Sequence, residues 1–331
     1  MCMKKNILIL TLLILGFSSC RKYNSQDVLP TATGALFDLA IFGDPKVWND
    51  TVGKKMMEIF DDDTPGLPQS EPLFSVTFFP ETNLDRTMSL SRNMICFRVD
   101  PTTYTKGTIS FQRNKWAKIQ AVVRMTAPDQ ETLVKELEKN KQTIIDFFVD
   151  IEHERSIQYY RRYSNEMSSR LIYDSVGVRL VIPDFLNKSK GAKNFAWLSN
   201  ANEVSRQDIV AYRVPYRSEA DFSLERLLAV RDSVMKRNIP GPSEGSYMST
   251  EMDNYPPVSR AMIVDSVYCV EVRGLWRVEG DFMGGPFVSR SYYDQAHNDI
   301  VTVEAFVYSP REKKRNKMRL TEAITTSVKF E

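Results

Sequence analysis

From residue 36 onward the chain alternates between two hydrophobic periods, and the switches between them lay out its elements. Residues 36–42 are nearly all apolar and predict a buried strand. Asp44-Pro45 then supplies an N-cap with proline at the first helical position, and Trp48, Val52, Met56 and Ile59 recur at helical spacing as far as Phe60. Strands are predicted at 73–79, 94–99, 108–112 and 118–125. Thr126 and Asp129 bracket Pro128 at a helix start, and the helix carries Leu133, Leu137, Ile144 and Phe148 as an apolar stripe. A more polar helical stretch, 151–173, has Ile157, Tyr160, Tyr163, Met167 and Leu171 on one side. It reads as a connector lying across the surface between two units.

The order then recurs. A strand at 209–214 precedes a helix at 222–236, with Leu224, Leu227, Leu228, Arg231 and Val234 at helical spacing. Strands follow near 247–251, 262–272, 276–281, 287–293 and 300–308, and a basic helix closes the chain from Arg311. Three local matches link the halves. PGLPQSE (65–71) resembles PGPSE (240–244); NMICFRV (93–99) resembles SVYCVEV (266–272), aligning Cys96 with Cys269; each half closes with a strand, a proline (Pro128, Pro310) and a helix. The expectation is an α+β fold of two related units, each mainly antiparallel sheet packed by helices. An internal duplication accounts for the matches, and so does chance similarity of short strings.

The first residues follow another pattern. Lys4 and Lys5 precede a run at 7–17 that is apolar apart from Thr11 and Gly16. It is too short for a membrane span, which needs roughly 20 apolar residues, and fits the h-region of an export signal. Ser18 and Ser19 before Cys20 resemble the lipobox of bacterial lipoproteins, with Phe17 where leucine is usual. That resemblance implies cleavage before Cys20, a diacylglyceryl thioether on its sulfur and an acylated amine. The competing reading is an ordinary signal peptide with an incidental cysteine. Residues 21–34 are polar and read as a tether reaching at most about 46 Å. No run of acids follows Cys20, so the expected placement is the outer membrane, facing the periplasm. The predicted organisation is a signal at 1–19, a lipidated tether at 20–34, a first unit with connecting helix at 35–176 and a second unit at 177–331.

Charge narrows the function classes. Loss of Lys4 and Lys5 with the signal brings 44 basic residues to 42, equal to the 42 acids. A chain without basic excess is not expected to bind nucleic acid; the membrane partner would be reached through the lipid. At 42% apolar and 26% charged, the rest is ordinary globular material. Beyond the lipobox only Cys96 and Cys269 remain, too few for a disulfide framework. On equivalent strands of separate sheets they are expected as free thiols.

Chemistry is concentrated, if anywhere, in RGLWRVEGDFMGGPFVSRSYYD, 273–294. From Tyr268 the alternation puts Val270, Val272, Trp276 and Val278 on one face, and Cys269, Glu271, Arg273, Leu275, Arg277 and Glu279 on the other. The plain reading is a twisted antiparallel strand with a solvated charged face, followed by turn glycines at Gly280, Gly284 and Gly285. The functional reading is a binding groove formed by Glu271, Arg273, Arg277, Glu279 and Asp281. Gly241-Pro242-Ser243-Glu244-Gly245 matches the G-x-S-x-G elbow, with Asp281 and His297 following in order, but here a helix precedes the serine and a strand follows it, the reverse of the elbow. His153-Glu154 lacks the second histidine of a zinc protease, and Asp61, Asp62 and Asp63 lack a calcium-loop pattern. No metal site, cofactor or phosphate loop is expected.

The segments PGLPQSEPLF (65–74), KWAK (115–118), TAPDQE (126–131), PGPSEGSYMSTE (240–251), RGLWRVEGDFMGGPFVSRS (273–291) and VTVEAFVYSP (301–310) together resemble an uncharacterised bacterial lipoprotein family, domain of unknown function 4837, over nearly the whole mature length. The resemblance implies lipid anchorage and a two-part architecture, and it lends no activity. Two functions are carried forward. One is a non-enzymatic envelope lipoprotein that binds an envelope protein or cell-wall component. The other is an envelope hydrolase using paired carboxylates of the second unit, Glu279 with Asp281 or Glu251 with Glu271.

Overall fold

A computed structural model describes residues 29–330; the expected signal, Cys20 and the first part of the expected tether lie outside them. The first sheet is built from β1 (Asp38–Gly43), β2 (Ser75–Pro80), β3 (Asn93–Val99), β4 (Thr108–Arg113) and β5 (Ala121–Ala127), in the order β2-β1-β3-β5-β4. The helices α1 (Pro45–Trp48) and α2 (Thr51–Phe60) join β1 to β2, and α3 (Gln130–Arg162) follows β5. Asp44 caps α1 by accepting from the Lys46 N–H, with Pro45 at the first position, and Asp129 caps α3 by accepting from Thr132. Leu133, Leu137, Ile144 and Phe148 are fully buried against Ile41, Met56, Ile95 and Val123. Residues 30–33, expected as tether, are pinned to this sheet: Lys118 N–H donates to Pro30 and Arg92 N–H to Thr33.

The second unit begins with α4 (Glu166–Val176) and a two-residue strand β6 (Val178–Arg179). Its large sheet contains β7 (Lys188–Ala192), β8 (Phe195–Ser199), β9 (Arg206–Pro215), β10 (Tyr247–Thr250), β11 (Val258–Val264), β12 (Val267–Glu279), β13 (Gly284–Asp294) and β14 (Asp299–Tyr308). The order is β10-β12-β13-β14-β9-β8-β7, with β11 beside the first half of β12. One face carries α4 and α6 (Arg315–Thr325) over a core of Ile172, Met318, Ile324, Val301 and Val303. The other carries α5 (Leu224–Asn238) over Trp276, Phe287, Phe306 and Met235. The terminal strand β15 (Lys329–Phe330) pairs with β6.

The α+β class holds, but the two sheets are not built alike. In the first, β1 lies parallel to β2 and β3, and β3 parallel to β5; only β4 runs antiparallel. The second is antiparallel throughout. The expectation of mainly antiparallel sheet therefore fails for the first unit, whose crossovers through α2 and through residues 81–92 were not separable from hairpins by strand pattern alone. The paired motifs also do different jobs. Gly66, at φ +82°, sets PGLPQSE against Arg273, and the Glu71 carboxylate accepts from the Lys314 and Arg315 N–H groups at the start of α6 (2.6 and 3.1 Å). PGPSE is instead an exposed turn between α5 and β10.

Two boundaries differ from the sequence reading. The break expected near 149–151 does not exist: α3 continues to Arg162, and the chain turns at 163–165, where the Asn165 side chain caps α4. The latter part of α3 is no surface connector either. Glu152 is buried against Arg92 and Asn93 of the first sheet, and His153, Ile157 and Tyr160 are buried because the second unit packs over them. The strand expected at 262–272 is a hairpin, turned at Asp265 and Ser266 with φ +48° and +68°.

Candidate ligand-binding cleft between the two units

An open cleft of about 860 Å³ runs between one long side of α3 and strand β11. Ile145, Val149, His153, Ile157 and Arg161 recur at turns of the helix and form one wall. Val258–Val264 forms the other, and Asp62 and Asp63 stand at the rim. Glu271, Arg273, Arg290 and Arg319 also line it, and these four belong to a continuous buried ion network.

Register creates the network. Glu271 on β12 lies directly opposite Arg290 on β13, on the same face as Cys269 and Arg273. Arg290 Nε donates to Glu271 Oε2 at 2.9 Å, its Nη2 lies 2.8 Å from the same oxygen as an ion pair, and Arg273 Nε donates to Glu271 Oε1 at 2.7 Å. Arg273 also reaches α6, its Nη1 meeting Glu322 Oε2 at 2.8 Å. Glu322 Oε1 completes the chain with Arg319 Nη1 at 3.0 Å and His153 Nε2 at 2.9 Å. Burial by itself would raise both carboxyls. At Glu271 the charges of Arg273 and Arg290 outweigh it and hold the group at about 2. At Glu322 those of Arg273 and Arg319 hold it well below the usual range. In return Arg273 and Arg290 are raised, burial being outweighed by the Glu271 charge.

The network is not fully satisfied. Arg319 makes a single hydrogen bond, its buried Nε has no partner, and burial lowers its pKa. His153 Nδ1 is likewise buried without a partner. Buried nitrogens without partners are uncommon and each costs roughly 1–3 kcal/mol. Asp150 lines the same cleft; desolvation, reinforced by the Asp146 charge, raises its carboxyl. Nearer the mouth, Arg260 of β11 holds Asp146 of α3 with two hydrogen bonds, 2.9 and 2.6 Å.

The five residues predicted as one groove are divided. Glu271 and Arg273 belong to the cleft and are shielded from solvent, because α3 and α6 cover that half of the charged face. The solvated-face reading is corrected there. Arg277 and Glu279 lie farther along β12, partly exposed and bonded to each other at 2.9 Å, with Glu279 also accepting from Ser249. Asp281 sits in the turn beyond β12. Eight residues of extended strand, roughly 26 Å, lie between Glu271 and Glu279 at the end of β12 beside that turn. The elbow-like serine is also disposed of by distance. Ser243 is near Asp281 (3.4 Å), whereas His297 lies in the turn at the opposite end of β13 and bonds Asp294. Among the described residues no three His, Cys, Asp or Glu side chains converge as metal ligands.

His153, Arg290, Arg319 and Glu322 were not singled out from the sequence as one site. The signals were present only in part. Arg319 and Glu322 are three apart on a helix read simply as basic, and Arg290 becomes the partner of Glu271 only once the hairpin register is known.

These features define a two-unit α+β protein with a charged cleft at the joint. Residues 164–327 match the family described as domain of unknown function DUF4837, and residues 32–161 match a separate family, domain of unknown function DUF8532. The resemblance expected over nearly the whole mature length is thereby narrowed to the second unit, and the segments at 65–74, 115–118 and 126–131 fall under the other family. No curated protein matches the chain.

Proposed function

We propose that this chain is a lipid-anchored cell-envelope protein, held by Cys20 in the outer membrane facing the periplasm, and that it works as a non-enzymatic binding module through the cleft. The carrying observation is the cleft itself, formed between two units and floored by buried charges with an unused donor at Arg319 Nε. Buried ion networks are a poor source of stability, since desolvation offsets most of the attraction. Their presence at a cleft favours recognition over scaffolding. The carboxylates named for a hydrolase are all engaged: Glu271 by two arginines, Glu251 by Arg277 and the backbone of 253–254, Glu279 by Ser249 and Arg277, and Asp281 by Ser243 and the Met283 N–H. Glu271, Glu251 and Glu279 are each lowered from the ordinary carboxylate range, away from the neutral pH where an acid–base group works best.

Anchorage rests on Lys4, Lys5, the apolar run and Ser18-Ser19-Cys20. The test has two arms. A fatty-acid analogue should label the wild-type chain in cells and not Cys20→Ser; label retained by the variant rejects the anchor. A photo-crosslinking side chain at Ile263, in the cleft, should give discrete adducts that the cleft-filling change Val149→Arg removes. Adducts indifferent to Val149→Arg reject the cleft.

A further inference from the structure

Resting on that reading of the cleft, we propose that its ligand is an extended acidic peptide, taken up as an added strand on the free edge of β11. Among the described residues strand β11 pairs with β12 alone. The two-residue turn at Asp265 and Ser266 makes Val264–Val267 a hydrogen-bonded pair, and the pattern alternates back along the strand. The inward-facing residues are therefore Val264, Met262, Arg260 and Val258. The N–H and C=O groups of Ile263, Ala261 and Ser259 project from the other edge, where no strand receives them. That edge faces the cleft. Val258, Ser259 and Arg260 line it consecutively, as do Met262, Ile263 and Val264, whereas a strand presenting only a face would contribute alternate residues.

The edge is also unguarded. Exposed edges are ordinarily blunted by lysines, prolines, bulges or brevity. At the far border of the same sheet β7 carries Lys188 and Lys190, and β10 has only four residues. Strand β11 has seven residues, no proline and one charge, Arg260, which Asp146 holds. Its Val258 and Ile263 are 56% and 68% exposed. Across the cleft, Ile145 and Val149 of α3 present an apolar wall to alternate side chains of an added strand. A strand edge facing a helix wall is the geometry of β-strand addition, in which main-chain bonds supply affinity and side-chain pockets supply selectivity.

The acidic preference comes from the floor. Arg273, Arg290 and Arg319 share two carboxylates, Glu271 and Glu322, and Arg319 keeps an unpartnered Nε. A peptide carboxylate would satisfy that donor, and a second could draw Arg260 from Asp146.

The experiment is selection from a phage-displayed library of random dodecapeptides on the mature chain in detergent micelles. Enriched peptides should alternate β-branched residues with Asp or Glu. A synthesised representative should slow amide exchange at Ser259, Ala261 and Ile263 by about tenfold or more, the protection expected of new ladder bonds. Ala261→Pro deletes one outward N–H and no ladder bond. It should weaken the peptide about tenfold or more, roughly 1.4 kcal/mol, with thermal stability retained. Should that variant fail to fold, exchange on the wild-type chain decides. Three results overturn the proposal: no acidic enrichment, no protection at the three amides, or undiminished binding to a folded Ala261→Pro. Protection that appears without peptide and rises with protein concentration also overturns it, in favour of a second copy of the chain. If Val149→Arg abolishes binding while Ala261→Pro does not, the cleft stands and strand addition falls. If neither variant weakens binding, the cleft itself is not the site.

Discussion

His153 Nε2 and Glu322 Oε1 stand 2.9 Å apart, both side chains sealed from solvent, and this contact bonds the long helix of the first unit to the closing helix of the second. Glu322 is the shared acceptor for Arg273 and Arg319 as well. It is the point on which the joint depends. Glu322→Gln leaves the buried Arg319 without its counter-charge and Arg273 with Glu271 alone, and breaking a buried pair typically costs about 3–5 kcal/mol. Urea denaturation should show a loss of this size, while Glu279→Gln, at a partly exposed position, should stay within about 0.5 kcal/mol of wild type. Equal effects would mean that the joint carries little of the stability.

Acid should undo the same network. Glu271 titrates at about 2 in the folded chain against an ordinary value of 4.5. A folded value below the unfolded one means that the ionised group stabilises fully above about 4.5, and that this contribution drains away as pH falls to about 2. Glu322, also lowered, acts in the same direction. The stability gap between wild type and Glu271→Gln should therefore narrow steadily over that window. A gap independent of pH would show that Glu271 is not held as an anion.

Much of this fold was legible because its signals are local. Capping at Asp44 and Asp129, the stripe from Leu133 to Phe148 and the buried face of Trp276 each depend on neighbours within a few turns or one strand. The cleft was not legible, because it is assembled from positions joined only by register and docking. Glu271 meets Arg290 across a hairpin, and Glu322 meets His153 across 169 positions. The same cause misplaced the charged face of β12. Alternation tells which residues share a side, but only the docking of α3 and α6 decides which part of that side is wet. The turn at Asp265-Ser266 was missed because neither residue is glycine or asparagine, the usual occupants of two positive φ angles in succession.

Cys96 and Cys269 are free thiols on different sheets. Burial pushes Cys96 up to about 11 and Cys269 to about 12, so neither is appreciably thiolate at neutral pH. A chain of residues 29–331 should show two thiols to a colorimetric reagent when denatured without reductant, and both should react far more slowly when native. Fast reaction of the native protein at either position would contradict the burial described.

Gly285 should prove less replaceable than Gly245, for a reason opposite to the one that turn glycines usually supply. Gly284 and Gly285 are not at positive φ; they begin β13 in extended conformation. What Gly285 provides is room. A β-carbon there would lie 2.1 Å from the Val307 carbonyl oxygen, in the middle of the sheet, and 3.2 Å from Trp276 Nε1, which itself donates to that carbonyl at 3.3 Å. The Val307 backbone cannot yield without parting β13 from β14, and the Trp276 side chain, 1% exposed against Phe306, would lose its seat. Gly285→Ala should thus approach the cost of Trp276→Ala, about 3–5 kcal/mol. Gly245 has φ +77° but open space around it, so Gly245→Ala should cost only about 1–2 kcal/mol of backbone strain. Thermal melts of the three variants give the order directly. If Gly245→Ala proves the most damaging, conformational freedom rather than close approach decides which of these glycines the fold requires.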